Sequence, residues 1–173
     1  NRESPLHIVL AQALCSSEKM DWIVQKATEL GVSAIQPLQT ERSITRLSGE
    51  RAEKRTEHWR GVTIAACEQC GRNTLPIVYP PQNFVHWLVA MRPFPATKLT
   101  LAPTSGNSLN KQAKPTHPIV LLIGPEGGLN ATEMQMAGQA NFTPVSLGAR
   151  ILRTETAAIA GITALQTLWG DLG

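Results

Sequence analysis

The sequence has few cysteines, no long apolar run and no clustered metal ligands, and each shortage excludes a class of protein. Three cysteines among 173 residues do not make a disulfide framework. No apolar run approaches the roughly 20 residues that span a bilayer, and no segment resembles a signal peptide. With an ordinary apolar fraction of 42%, the sequence predicts one globular domain in a reducing, cytoplasmic compartment.

Metal ligands are also sparse. Cys67 and Cys70 form a C-x-x-C pair, but neither a second pair nor a His-x-x-x-His segment follows. The pair lies in a helical pattern that ends at Gly71, so we interpret both thiols as helix packing residues. The histidines show no ligand spacing, and the sequence predicts no metal site. They are His7, His58, His86 and His117.

Arginine is concentrated in one region, although the net charge is only +3. A cluster of basic side chains within residues 41–72 favours contact with nucleic acid, because guanidinium groups match phosphate geometry and stack on bases. Acidic residues are interleaved with them, so an exposed helix face with internal ion pairs is the alternative. The basic residues are Arg42, Arg46, Arg51, Lys54, Arg55, Arg60 and Arg72.

Strand and helix patterns alternate along the chain, which favours an α/β domain built on a mostly parallel sheet with flanking helices. Strands are predicted at His7–Leu10, Ala34–Leu38, Pro76–Tyr79, Lys98–Ala102, Ile119–Ile123 and Thr143–Leu147. Helices are predicted at Ser17–Leu30, Glu50–Cys70, Phe84–Met91 and Thr154–Trp169, and from an Asn130 cap with Glu133 to about Ala140. Residues 103–118 are predicted to form a loop.

Three loops follow predicted strands at the edge of the sheet where ligands bind in such folds. They are Ala102–Gly106, Gly124–Gly128 and Leu147–Arg153. If the three strands are neighbours in the sheet, the loops line one pocket. That adjacency is an assumption of the prediction.

The loop Gly124–Gly128 has the glycines of a phosphate loop without its chemistry. It lacks the Gly-Lys-Ser/Thr ending of a P-loop and the G-x-G-x-x-G spacing of a dinucleotide site. Glu126 at its centre repels phosphate, so the loop favours a neutral or cationic ligand. The alternative is that Glu126 only caps a helix or pairs with an arginine.

The last loop and the start of the final helix read SLGARILRTETAA. Leu147, Ile151 and Leu152 are apolar residues that could enclose an adenine-like ring, and Arg150 and Arg153 place two cations beside them. Helix capping explains the threonines that follow. It does not explain so many apolar and basic residues in one short connection.

These two motifs, IGPEGG at 123–128 and SLGARILRTETA at 146–157, are similar to the C-terminal motifs of the RsmE family. Members of that family are SPOUT-class methyltransferases that modify N3 of a uridine in small-subunit (16S) ribosomal RNA. The resemblance covers nearly the whole chain, since further segments match in the same order. They are QKATELGV at 25–32, ERS at 41–43, ACEQCGR at 66–72 and GDLG at 170–173.

The resemblance implies S-adenosylmethionine as cofactor, a C-terminal trefoil knot, a homodimer and a ribosomal RNA substrate in an assembled or assembling subunit. Family members carry an N-terminal PUA-like barrel that helps to bind RNA. Because the chain begins with Asn1 rather than methionine, we expect residues 1–173 to be the methyltransferase domain without that barrel. We expect such a chain to bind cofactor but to methylate naked RNA weakly.

The resemblance also implies roles for individual residues. Leu147 and Leu152 are expected to pack the adenine, and Leu101 and Ala102 to close another wall. The full set expected at the cofactor is Leu101, Ala102, Ile123, Gly124, Pro125, Glu126, Gly128, Leu147, Gly148 and Leu152. Catalytic candidates are Arg153 and Arg150, to stabilise the anionic base, and Glu155, as a proton acceptor. Candidates for RNA contact are Arg42, Arg46, Glu68, Gln69 and Arg72.

Two other functions remain open at this point. One is a SPOUT enzyme that methylates a different base, and the other is an RNA-binding module that has lost catalysis. The intact glycine loop and ILRTET segment favour an enzyme over a silent module. For Glu126, the sequence does not decide between facing the polar end of the cofactor and orienting Arg153.

Overall fold

A computed structural model describes all 173 residues. The chain contains seven strands and five helices. The strands are β1 (Ile8–Ala13), β2 (Ala34–Gln39), β3 (Ile77–Val78), β4 (Gln82–Asn83), β5 (Thr97–Leu101), β6 (Ile119–Ile123) and β7 (Thr143–Val145). The helices are α1 (Ser17–Glu29), α2 (Gly49–Cys70), α3 (Phe84–Met91), α4 (Ala131–Gln139) and α5 (Thr154–Trp169), with a 3-10 turn at Leu109–Lys111.

The strands form a single sheet in which every pairing is parallel, so the predicted α/β architecture is confirmed. The strand order is β3-β2-β1-β6-β5-β7, and β4 also pairs with β2. All five residues of β6 are buried, as expected for a central strand covered on both faces. The order makes β6, β5 and β7 neighbours, which confirms the adjacency assumed for the three loops.

Each face of the sheet carries its own apolar core. Met20 and Ile23 of α1, Trp59 of α2 and Ile162 and Leu165 of α5 belong to one cluster with the strands. The second cluster lies on the opposite face and draws on α3 and α4, through Phe84, Trp87, Leu88, Ala137 and their neighbours. No helix is both long and apolar enough to cross a membrane.

The final helix crosses back over the sheet. After β7 at the sheet edge, α5 packs against β6, β1 and α1, near the middle of the strand order. Gly161 permits this approach, since a Cβ atom there would lie 3.0 Å from Leu121 and 3.1 Å from Leu101. The route brings the first turn of α5 over the carboxyl ends of the strands that precede it.

The predicted elements differ from the structure mainly at their ends. The strand predicted at His7–Leu10 continues through Gln12 to Ala13, because the Gln12 side chain is buried and hydrogen-bonded despite being polar. The last strand ends at Val145, two residues before the predicted Leu147. The short β4 and the 3-10 turn in the 103–118 loop were not predicted, since neither has a periodic pattern.

Candidate active site

A cavity of about 270 Å³ opens at the carboxyl ends of β5, β6 and β7. All three predicted loops contribute to it, and most of its wall is apolar side chain or glycine backbone. Its lining residues are Leu101, Ala102, Pro103, Ile123, Gly124, Pro125, Glu126, Gly127, Gly128, Leu129, Met134, Leu147, Arg150, Ile151, Leu152, Thr154 and Ala157.

Nine of the ten residues predicted to surround a cofactor line this cavity. The exception is Gly148, which faces a separate depression bordered by Leu109 and Leu168. Residues of the cavity wall that the prediction omitted include Met134 of α4 and Thr154 and Ala157 of α5. They lie in predicted helices outside the three loops, and nothing in the helical pattern indicated a cavity.

The glycine loop requires glycine because its backbone segments lie too close together to leave room for a Cβ atom. A Cβ atom on Gly124 would lie 3.1 Å from the amide nitrogen of Leu129. Gly128 has φ +75°, a conformation that L side chains rarely adopt, and its amide donates a 2.9 Å hydrogen bond to the Pro125 carbonyl. The loop therefore presents backbone rather than side chains to the cavity, with Glu126 as its only charged side chain.

Glu126 is fixed by the start of α1. Its Oε1 accepts a 3.1 Å hydrogen bond from the Ser16 amide and lies 3.8 Å from the Lys19 Nζ. No ion pair joins it to Arg153, so the sequence-based alternative in which Glu126 orients Arg153 is not what the structure contains. The carboxylate borders the cavity, and its side chain is 24% exposed.

Lys19 also contacts Glu155 on the first turn of α5. Its Nζ lies 3.6 Å from Glu155 Oε2, an atom that is buried and has no hydrogen-bond partner. Cys15 lies nearby and is fully buried. Burial raises the pKa of the Cys15 thiol to about 12, and the charges of Glu126 and Glu155 add to this effect while Lys19 opposes it.

Thr154 joins α5 to the glycine loop. Its hydroxyl donates a 2.6 Å hydrogen bond to the Gly124 carbonyl and accepts a 3.0 Å hydrogen bond from Gln12 Nε2. The Gln12 side chain is fully buried in β1, and its second amide bond goes to the Ala13 carbonyl. Three segments that are distant in sequence are thereby held together beneath the cavity.

The two arginines of the last loop have free guanidinium groups. Both are exposed, and neither side chain makes an intramolecular hydrogen bond or ion pair. Arg150 lines the cavity, whereas Arg153 is the N-cap residue of α5 at its rim. Ile151, between them, is 85% exposed although it is apolar.

Two of the predicted RNA contacts lie on the same side of the molecule as the cavity. Arg42 lies on the glycine loop, where its Nη1 donates a 2.9 Å hydrogen bond to the Gly127 carbonyl. Arg46 borders a polar pocket between the starts of α3 and α4, and its guanidinium donates to the Glu41 carbonyl. Both arginines are exposed.

The other three predicted RNA contacts lie at the opposite end of the sheet. Glu68 and Gln69 are exposed on the last turn of α2, which ends beside the amino ends of the strands. The Arg72 side chain is only 6% exposed and pairs with Glu3 at 2.9 Å. It also donates to the carbonyls of Thr28 and Val32, so its donors are used within the fold rather than free for RNA.

Comparisons with known proteins show the family of the chain. The family model described as "RNA methyltransferase domain" matches residues 2–166. Ribosomal RNA small subunit methyltransferase E of Buchnera aphidicola (subsp. Schizaphis graminum) is 40% identical over 173 residues, which cover 99% of this chain and 70% of that protein.

Two solved structures have the same fold. The methyltransferase of this name from Neisseria gonorrhoeae, bound to S-adenosyl methionine, is 45% identical with a TM-score of 0.91, over 99% of this chain and 70% of that one. A methyltransferase from Legionella pneumophila, in complex with the same cofactor, is 41% identical with a TM-score of 0.94 over the same shares. The chain belongs to the ribosomal RNA small subunit methyltransferase E family of RNA methyltransferases.

Proposed function

We propose that this chain transfers a methyl group from S-adenosylmethionine to N3 of a uridine in small-subunit ribosomal RNA. The observation that carries the proposal is the convergence of three predicted loops on one cavity, with a single acidic side chain in its glycine loop. Relatives above 40% identity have been solved with this cofactor bound, and the family name specifies the small ribosomal subunit. A ribosomal RNA substrate implies a cytoplasmic protein.

The residues of the cavity fit this cofactor. Leu101, Leu147 and Leu152 provide an apolar wall suited to an adenine ring, and the backbone around Gly124 and Gly128 allows close approach. Glu126 places a carboxylate where a cationic ligand is favoured and a phosphate is not. When bound, S-adenosylmethionine supplies an activated methyl group on a sulfonium centre.

The work of the protein in this reaction is orientation and charge stabilisation. A fixed cavity converts an encounter of two reactants into an oriented displacement, which accounts for a large part of the rate. The uridine N3 must lose its proton, and a cation beside the forming uridinate lowers the free energy of that anion. Arg150 and Arg153 are the free cations at the cavity and its rim, so we assign this role to them.

Glu155 is less suited to accept the N3 proton. It does not border the cavity, and its Oε2 faces Lys19 at 3.6 Å. A carboxylate that faces Lys19 from outside the cavity wall is not placed to reach a base bound in the cavity. We therefore assign the catalytic role to the arginines and treat Glu155 as part of the framework around them.

The rim also offers a surface for RNA. Arg42 and Arg46 are exposed on the cavity side, and we propose that they contact the phosphates around the target nucleotide. Arg72, Glu68 and Gln69 are left out of this surface because they lie at the other end of the sheet. We propose that residues 1–173 act as the methyltransferase domain. In the family, the N-terminal PUA-like barrel provides additional RNA binding.

We further propose that the chain works as a homodimer through the face beside Gly148. A depression there is bordered by Leu109, Leu147 and Leu168, and Leu168 is 41% exposed. An apolar recess of this kind suits a self-complementary interface. The trefoil knot of the family is supported by the path of α5, which returns from the edge strand β7 to pack across β6 and β1.

The test is to incubate the purified chain with S-adenosylmethionine and small ribosomal subunits from a strain that lacks the family enzyme. Mass spectrometry of the digested RNA should then find a new 3-methyluridine. A methyl group on a different base would reject the N3 assignment. Cofactor binding without any transfer to subunits would favour the catalytically silent module.

A further inference from the structure

Lys19 lies between two carboxylates, one that borders the cavity and one on the first turn of α5 that does not. Its Nζ is 3.8 Å from Glu126 of the glycine loop and 3.6 Å from Glu155 of α5. No other lysine, arginine or histidine forms an ion pair with either carboxylate. We call these three side chains the Lys19 cluster.

The Lys19 cluster has two acids and one base, so it carries one net negative charge when all three groups are ionised. Solvent screens this charge only in part, because the three side chains are only 21–29% exposed. Water screens partly buried charges less than exposed ones. Glu126 borders the cavity directly, so the negative charge of the cluster acts on a bound ligand at short range.

Cys15 is a buried neighbour of the Lys19 cluster, and the charges of the cluster act on its thiol. Burial is the main reason that the pKa of its thiol rises to about 12, but Glu126 and Glu155 raise it further and Lys19 lowers it. A negative group is therefore disfavoured beside the cluster. A positive group placed beside it is favoured for the same reason.

We propose that the Lys19 cluster makes the cavity discriminate between the cationic cofactor and its neutral product, with Lys19 setting the strength of the preference. This inference rests on the proposed function. S-adenosylmethionine and S-adenosylhomocysteine share every group except one methyl, which takes the sulfonium charge with it. A net negative cluster therefore holds the substrate form and weakens the product form, which promotes product release after transfer.

Lys19 acts here as a positioning residue, since it does not border the cavity itself. It holds the two carboxylates at a fixed spacing and cancels one of their charges. Replacing Lys19 by Met changes the net charge of the cluster from −1 to −2, and replacing Glu155 by Gln changes it to zero. The two substitutions are thus expected to move the preference in opposite directions.

The experiment measures the dissociation constants of both ligands by calorimetry at pH 8, for the wild type and each variant. The quantity of interest is the ratio of the constant for S-adenosylhomocysteine to that for S-adenosylmethionine. General damage to the cavity weakens both ligands and largely cancels in this ratio. We expect the ratio to rise about threefold in Lys19→Met, to fall about threefold in Glu155→Gln, and to stay unchanged in Lys19→Arg.

The matched control is Lys26→Met. Lys26 lies on the same helix and pairs with Glu29 in its last turn, away from the cavity, so its removal changes the net charge of the protein equally. The ratio should not change in this variant. If Lys19→Met does not fold, Glu155→Gln still tests the opposite change.

The outcomes separate the inference from the proposed function. If a folded wild-type chain binds neither ligand, the proposed function fails. If it binds both and the ratio is the same in the wild type, Lys19→Met and Glu155→Gln, the discrimination by the Lys19 cluster is overturned while the proposed function stands.

Discussion

The Thr154 hydroxyl donates a 2.6 Å hydrogen bond to the carbonyl of Gly124, across 30 residues of sequence. This bond ties the first residue of α5 to the loop after β6, and Gln12 supports it from β1 through a 3.0 Å bond to the same hydroxyl. The cavity wall is therefore held in shape by a bond between two of its own residues and by Gln12, which does not line it. Its geometry depends on these bonds as well as on the residues that would contact a ligand.

Replacing Thr154 by Val keeps the shape of the side chain and removes the hydroxyl. The Gly124 carbonyl then loses its donor and Gln12 loses its acceptor, which should lower the free energy of unfolding by about 1–3 kcal/mol. We expect the dissociation constant for S-adenosylmethionine to rise about tenfold, because the loop is no longer fixed to α5. Calorimetry and thermal unfolding measure both effects, and Thr154→Ser should restore most of the binding. Unchanged affinity in Thr154→Val would show that the bond does not shape the cavity.

A second prediction concerns the contact between α5 and the sheet at Gly161. A side chain at this position would press on Leu121 and Leu101, so Gly161→Val should lower the free energy of unfolding by about 1–3 kcal/mol. Gly138 of α4 is the matched control, since a Cβ atom there meets nothing within 4 Å. Gly138→Val should leave stability unchanged or raise it slightly. Equal effects from the two substitutions in denaturant titrations would mean that α5 can shift away from the sheet.

The sequence predicted the parts of the molecule that depend on local pattern. The apolar run Ile119–Ile123 and the capped helix after Asn130 are read from neighbouring residues, and the structure confirms both. The cavity followed from a general rule, that parallel strands present their carboxyl ends at one edge. That rule led from three loops to one pocket without any knowledge of side-chain contacts.

The parts that the sequence did not predict depend on contacts between distant residues. Lys19 lies in an ordinary amphipathic helix, and nothing near it in sequence indicates that it pairs with Glu126 and Glu155. Gln12 lies beyond the predicted end of the first strand at Leu10, although the fold buries its side chain within that strand and its Nε2 donates two hydrogen bonds. Arg72 was predicted to contact RNA because other arginines lie near it in the sequence. Its side chain instead pairs with Glu3, which is 69 residues away.

The pair Glu3–Arg72 gives a prediction about acid stability. Burial raises the pKa of the Glu3 carboxyl. Hydrogen bonds to the carboxylate lower it, from the Arg72 side chain and from the Thr74 and Asn73 amides, and so does the charge of Arg72. The net effect is a pKa below 4.5. Because the folded-state pKa is depressed, the contribution of the carboxylate to stability is complete above pH 4.5 and is lost as pH falls through the folded-state value.

The test compares urea unfolding of the wild type and Glu3→Gln between pH 3 and pH 7. The variant should be less stable near neutral pH, and the difference should shrink as the pH falls below about 4.5. Glu53→Gln is the control, since Glu53 is exposed on α2 beyond its first turn and its side chain forms no ion pair. A difference between wild type and Glu3→Gln that does not vary with pH would contradict the assignment.

The rim arginines should contribute to the salt dependence of RNA binding. Each phosphate contact that is lost lowers the slope of log affinity against log salt by about one. We expect this change for Arg42→Ala and Arg46→Ala, measured with small-subunit RNA at several salt concentrations. Arg92→Ala is the control, because Arg92 is exposed at the end of α3, away from the cavity. Equal slopes for all three variants and the wild type would remove Arg42 and Arg46 from the RNA surface.

The last prediction separates the two arginines of the final loop. Arg150 borders the cavity, where its guanidinium can pair with the carboxylate of the cofactor, so Arg150→Ala should weaken S-adenosylmethionine binding several-fold. Arg153 lies at the rim, so Arg153→Ala should leave that binding within about twofold and slow methyl transfer about 100-fold, by removing a cation from the forming uridinate.

Single-turnover methylation of small subunits, with cofactor affinity measured separately, distinguishes these roles. The rate of Arg153→Ala should also rise more steeply with pH than that of the wild type, because without the guanidinium more of the N3 proton must be removed by solvent base. An arginine that only bound phosphate would change the affinity for RNA and the salt slope, but not the pH dependence of the transfer step. If saturating RNA restores the full transfer rate to Arg153→Ala, Arg153 acts in RNA binding. The role of stabilising the uridinate then falls to Arg150.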